Sequence, residues 1–271
     1  MRKRAFVSVI AIVLSLMVLC LTGCGTAVGT LQFVANGEDF VREGFESKDG
    51  WDISFDHIYV TLSEVKGYQT DPPYDAHDDG ATVDANTTTS LSGTHTVDLA
   101  AGAADADPIL AGQVDSVKVG QYNAISWKMI KATSGDANGY SLVVIGTATK
   151  DTDTVDFTIK IETEYAYYGG EFVGDVRKGV LAEGETADLE MTFHFDHIFG
   201  DAETDAEDEL NTAAPGFQPF ADLATGDTLD INMAQIQAGI GAAAYGKLLD
   251  MLPTLGHVGE GHCHCDIING D

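Results

Sequence analysis

The chain has 271 residues and a formal net charge of −29, from 43 acidic residues against 14 basic ones. A field of that sign repels nucleic acid and anionic lipid headgroups, which excludes DNA or RNA as a partner, and a hydrophobic content of 44% argues against a disordered acidic tail. Beyond the first 24 residues only Cys263 and Cys265 remain as thiols, too few for a disulfide-stapled scaffold.

The N-terminus carries Arg2, Lys3 and Arg4, followed by an apolar run from Ala5 to Leu21. The run is too short and too close to the start for a comfortable membrane span, so residues 1–23 read as a signal peptide. Leu21-Thr22-Gly23-Cys24 resembles the lipobox of bacterial lipoproteins, in which the cysteine is acylated and becomes the first residue. The resemblance implies that Cys24 carries lipid, that residues 24–28 are a lipidated N-terminus and linker, and that the membrane is a partner through that lipid. Cys20 leaves with the signal. Gly25 stands where the inner-membrane retention signal of that family has Asp. The expected setting is therefore the cell envelope, lipid-anchored and extracytoplasmic, at the outer membrane, in the periplasm or on the surface face.

Residues 29–200 speak in period two. Trp51, Ile53, Phe55, His57 and Tyr59 alternate on one face, and Ile58, Val60 and Leu62 on the other. Thr94 to Ala100, Gln113 to Lys131, Tyr140 to Lys150, Thr154 to Glu164 and Thr186 to Phe199 read likewise, and Gly, Asp and Asn separate them. Many short strands with such turns predict a mainly β chain, an antiparallel β-sandwich. Residues 201–271 should pack on the same domain as an acidic loop, one amphipathic helix over Ile231 to Leu252 stopped by Pro253, and an irregular His/Cys-rich tail. Gly29-Thr30-Leu31, Phe55 to Leu62, Val97-Asp98-Leu99 and Val119 to Tyr122 are similar to the strand signposts of a family of secreted prokaryotic lipoproteins of unassigned function. That resemblance covers Gly29 to Met129 and implies a β-sandwich outside the cytoplasm, without an activity.

The tetrapeptide Phe-Asp-His-Ile occurs twice, at Phe55 and at Phe195, so equivalent strands would present His57 and His197 from one sheet face, with His194 close by. Neutral imidazole is the commonest transition-metal ligand. His257, His262, Cys263, His264 and Cys265 crowd the C-terminus, and alternating His and Cys offers imidazole and thiolate together. Such donors favour zinc or copper, whereas calcium gains little from them. Weaker cation candidates are Asp75, His77 and Asp79, which resemble the start of a calcium loop without its closing Glu, and Asp201, which opens an acidic run.

No nucleophile elbow, zinc-protease helix, phosphate loop or haem attachment motif appears. The leading expectation is an anchored protein that binds zinc or copper, for capture or for delivery to an uptake transporter. A structural or adhesive acidic sandwich without metal, and a metal-dependent extracytoplasmic enzyme, stand as alternatives. If the lipobox reading holds, Cys24→Ser should move the protein from the membrane fraction to the soluble or culture fraction. Unchanged membrane association of that variant would refute it.

Overall fold

The computed structural model of the chain describes residues 26–170 and 178–269, so the signal segment 1–23 and Cys24 lie outside the described residues. The first strand, β1 (Val28–Asn36), shows the sequence logic plainly. Leu31, Phe33 and Ala35 alternate inward and are fully buried, while Gln32 stays at the surface. A short helix α1 (Glu38–Glu43) and β2 (Phe45–Glu46) lead into the long strand β3 (Asp52–Gln69). There follow β4 (Thr87–Ser90), β5 (Thr94–Asp98), β6 (Ile109–Lys118), β7 (Gly120–Gln121), β8 (Ala124–Met129), β9 (Leu142–Lys150), β10 (Asp153–Ile161), β11 (Glu164–Gly169), β12 (Val180–Leu181) and β13 (Thr186–Phe193). The C-terminal part contains α2 (Asp196–Phe199), α3 (Glu209–Ala213), α4 (Gln218–Ala221), β14 (Thr228–Asn232), α5 (Met233–Gly239) and α6 (Ala242–Met251). A 3-10 turn (Leu252–Leu255) then leads to β15 (Gly256–Val258), β16 (Gly261–His262) and β17 (His264–Asn269).

Two sheets carry the fold. One has the order β16-β15-β13-β1-β6, the other β14-β10-β9-β3-β8-β11-β17, with β2, β4 and β5 also paired to β3. They face each other in a sandwich-like arrangement. Trp127 of β8 meets Phe193 of β13 edge-on at 6.1 Å, and a Cβ on Gly67 of β3 would touch Leu189 of β13 at 2.6 Å. One apolar cluster runs from Leu31 to Val258 and takes side chains from both sheets and from α5, α6 and the 3-10 turn.

The mainly β expectation holds, with three refinements. The sheets are mixed, because β1 pairs parallel with β13 and β10 pairs parallel with β14, while the other pairs are antiparallel. The expected single helix from Ile231 to Leu252 is instead the end of β14, then α5, α6 and the start of the 3-10 turn. Ile231 is the cross-strand partner of Ile159. Asn232 caps α5 through a reciprocal pair of bonds with Gln235, and Gly241, at φ 82°, turns the chain before α6. The expected irregular tail is instead three short strands, β15 to β17, which pair with β13 and β11.

A bulge explains why the alternation around His57 misleads. Phe55 pairs with Gly146 and His57 with Ile145, so Asp56 is an extra residue and the strand changes phase there. Ile53 is buried before the bulge, and Ile58 and Val60 are buried after it, which turns His57 outward. Gly146 permits the close approach, since a Cβ there would overlap the Ser54 carbonyl oxygen and crowd the Phe157 ring at 2.9 Å. Gly146→Ala should therefore destabilise the domain by about 1–3 kcal/mol through overpacking. Gly246→Ala, inside α6 with nothing within 4 Å, should stabilise it by about 0.5–1 kcal/mol. Chemical denaturation of both variants checks the contrast, and equal effects would contradict the packing described.

Candidate metal centre

The alternation of β13 sends Phe193 into the core and the residues on either side, Thr192 and His194, to the opposite face. His257 is the cross-strand partner of Thr192, and His262 is the cross-strand partner of His257. His197 comes from α2, which starts two residues after His194, with its main-chain N–H donating to the Asp196 carboxylate. The β13 end, α2 and the β15–β16 hairpin thus gather four imidazoles. The His194 and His257 rings stack at 4.1 Å, His197 meets His257 at 5.1 Å, and His262 lies 4.6 Å from His257. One ring nitrogen each from His194, His197 and His257 lies within 4.8 Å of the other two, and these three residues could hold a metal ion.

Thr254 sets the proton positions of two of the rings. His257 Nε2 lies 3.0 Å from the Thr254 carbonyl oxygen, which can only accept, so Nε2 carries the hydrogen and Nδ1 a bare lone pair. The Thr254 hydroxyl donates its single proton to the Met251 carbonyl at 2.9 Å. It must therefore accept from His197 Nδ1 at 2.7 Å, which leaves His197 Nε2 bare. His257 Nδ1 and His194 Nε2 are buried and, among the described residues, have no hydrogen-bond partner. His194 Nε2 has a carboxylate nearby, with Glu38 Oε1 at 3.5 Å.

Electrostatics agree with this geometry. Burial pushes the pKa of His257 down to about 2 and that of His197 to about 4, and the neighbouring imidazoles add to both. Burial also lowers His194. Burial, with repulsion from Glu260 and Asp196, raises the Glu38 carboxyl to about 7. The centre is a set of uncharged nitrogen bases beside a carboxyl that desolvation keeps partly protonated, and a cation would relieve both penalties at once.

The other sequence candidates lie elsewhere. His57 is half-exposed, bonds Asp98 at 2.7 Å through Nδ1 and stacks on Tyr59, so the paired Phe-Asp-His-Ile segments share no sheet face: one is a bulged strand, the other a helical turn. In the tail the strand period of two separates what the sequence interleaves. Cys263 and Cys265 pack on the core side against Gly169 and Tyr167 of β11. Burial pushes the Cys265 thiol up to about 12 and Cys263 well above its ordinary value, and neither joins the cluster of ligand atoms. His264 pairs with Asp266 at 3.3 Å near Tyr168, on the outer side of β17. Asp75 and Asp79 spend their carboxylates on the main-chain N–H groups of His77 and Asp75, an ordinary turn. Asp201 accepts from Glu203 N–H and the Thr204 hydroxyl in the same manner.

Glu38 and Thr254 carry no sequence signal of their own. Glu38 reaches the site because Asn36 of β1 pairs with Thr192 of β13, and two residues further along each chain stand Glu38 and His194. His194 and His197 come together because the chain leaves β13 at Phe193 and turns into a helix at Asp196, a strand-to-helix change that the period-two pattern hides. No family model matches the chain, nor does any curated protein or solved structure, and the geometry of the site therefore has to carry the functional reading alone.

Proposed function

We propose that this chain is a lipid-anchored protein of the cell envelope that binds zinc or copper at His194, His197 and His257, with Glu38 as the neighbouring carboxylate. The observation that carries the reading is the pair of imidazoles whose tautomers Thr254 sets, each leaving a bare nitrogen turned away from its partner. Orientation of ligating histidines through their second nitrogen is the usual second shell of a metal site. Three imidazoles and a carboxylate suit zinc or copper(II). The Cys263 and Cys265 thiols lie on the core side and neither joins the cluster of ligand atoms, which leaves imidazole and carboxylate as its donors. Zinc–nitrogen bonds of about 2.0–2.1 Å put tetrahedral ligands about 3.4 Å apart, so the rings must close in, and the stacked His194 and His257 rings must also turn, for their in-plane lone pairs to meet at one ion. The extracytoplasmic setting rests on the lipobox resemblance, and with it the role of capture and delivery to an uptake system.

Protein purified without chelator or histidine tag should carry about one zinc or copper per chain by elemental analysis. His257→Ala should abolish the bound metal, Thr254→Val should weaken affinity about 10–100-fold, and His57→Ala should change nothing. Metal retained in His257→Ala would defeat the assignment.

The metal-free protein should also show a signed pH dependence. Unfolded imidazoles protonate near pH 6.5, whereas folded His197 and His257 stay neutral to about 4 and about 2. The unfolded chain thus binds the extra protons, and stability is full above pH 6.5 and falls as pH drops through that window toward 4. Glu38 acts with the opposite sign. Its folded pKa of about 7 exceeds its ordinary value of 4.5, so its contribution is full below 4.5 and lost as pH rises through 7. In Glu38→Gln the second trend should vanish and leave a monotonic loss of stability on acidification, measured by denaturant titration from pH 4 to 8. A flat profile in that variant would show that the histidines are not buried as neutral bases.

A further inference from the structure

His194 and His257 are buried and His197 is half-buried, and a site that acquires and surrenders metal needs a route. One side of the cluster opens into a cleft of about 370 Å³. His197, Thr254 and His262 line it together with Leu210, Met251 and the exposed Glu209. His262 differs from the other three imidazoles of the cluster. It is exposed, it sits on the last residue of the two-residue strand β16, and among the described residues no hydrogen bond orients its ring. It nonetheless lies 4.6 Å from the His257 ring and 6.3 Å from that of His197. The hairpin that carries it turns through Gly259, at φ 56°, and Glu260, and the exposed ring is the cluster member freest to move.

Resting on the metal-site reading above, we infer that His262 is a transfer ligand. It takes the ion from a donor in the cleft, hands it to the other three, and reverses that step on release, with the exposed Glu209 attracting the cation. The chemistry requires only exchange of one nitrogen donor for another on a divalent ion, because the incoming ligand binds before the outgoing one leaves. The neutral, oriented nitrogens of His194, His197 and His257 set the equilibrium affinity. His262, half in solvent, sets the rate.

The test is stopped-flow exchange of zinc(II) between the full-length protein in detergent and a chromophoric zinc chelator. His262→Ala should slow loading and release alike by about tenfold or more while the Kd stays within about threefold, since Kd is the ratio of the two rates. Glu209→Gln should slow loading in the same direction by a smaller factor, and serves as the second variant should His262→Ala fold poorly. Faster release with weakened Kd in His262→Ala would overturn the inference, because His262 would then be an ordinary fourth ligand. Unchanged rates would overturn it as well. Absence of zinc from the wild-type protein would instead bring down the metal reading, and this inference with it.

Discussion

The parallel pairing of β1 with β13 is the contact on which the rest of the molecule hangs. It joins strands about 150 residues apart in sequence, holds β6 and β15 at the correct places in one sheet, and closes the sandwich over Trp127. Parallel neighbours cannot be made by a hairpin and need a crossover, here most of the domain. The same register lays Glu38 against His194. Fold and site therefore share one long-range constraint, and a slip of a single residue in that pairing would turn Leu31 and Phe33 out of the core while pulling Glu38 away from the imidazoles.

His57 and His257 make an instructive pair within one chain. His57 has a carboxylate on Nδ1, an aromatic ring on its face and open solvent beside it, with a side chain 48% exposed. That is a histidine whose polar atoms are satisfied by the fold. His257 is 3% exposed, its Nε2 is engaged by a carbonyl, and its Nδ1, among the described residues, has no partner in a pocket of like groups. Burying an unpaired acceptor costs on the order of 1–3 kcal/mol, and crowding several of them raises the cost further. A fold tolerates such an arrangement where something other than packing is served.

Much of the architecture was readable from period-two patterning, because β-strands that face a core on one side must alternate. Leu31, Phe33 and Ala35 did so, as did Phe157, Ile159 and Ile161. Readability failed where tertiary contacts override the pattern. The bulge at Asp56 reversed the phase of β3 and removed His57 from any inward face. Asn232 and Gly241 cut an apparently continuous helix, since an N-cap and a positive-φ glycine outweigh hydrophobic spacing. The C-terminal run of histidines and cysteines looked like a single ligand tract because composition does not reveal faces. Once β17 forms, Cys265, with Cys263 just before the strand, packs toward the core and His264 turns outward. His194, His197, His257 and His262 were recognisable as candidates from residue type. Their separation from His57, His264 and the cysteines, and the parts played by Glu38 and Thr254, depend on contacts that span most of the chain.

The spread of those contacts along the chain bears on how the protein is made. The cluster takes its carboxylate from residue 38, two imidazoles from residues 194 and 197, and its last two from a hairpin that ends at residue 262. A ribosome or a translocation pore releases these parts in order, N-terminus first. Until the β15–β16 hairpin has emerged and added itself to the edge of β13, there is no cluster, only isolated imidazoles with the affinity of free side chains. Assembly of the cluster thus marks the completion of folding.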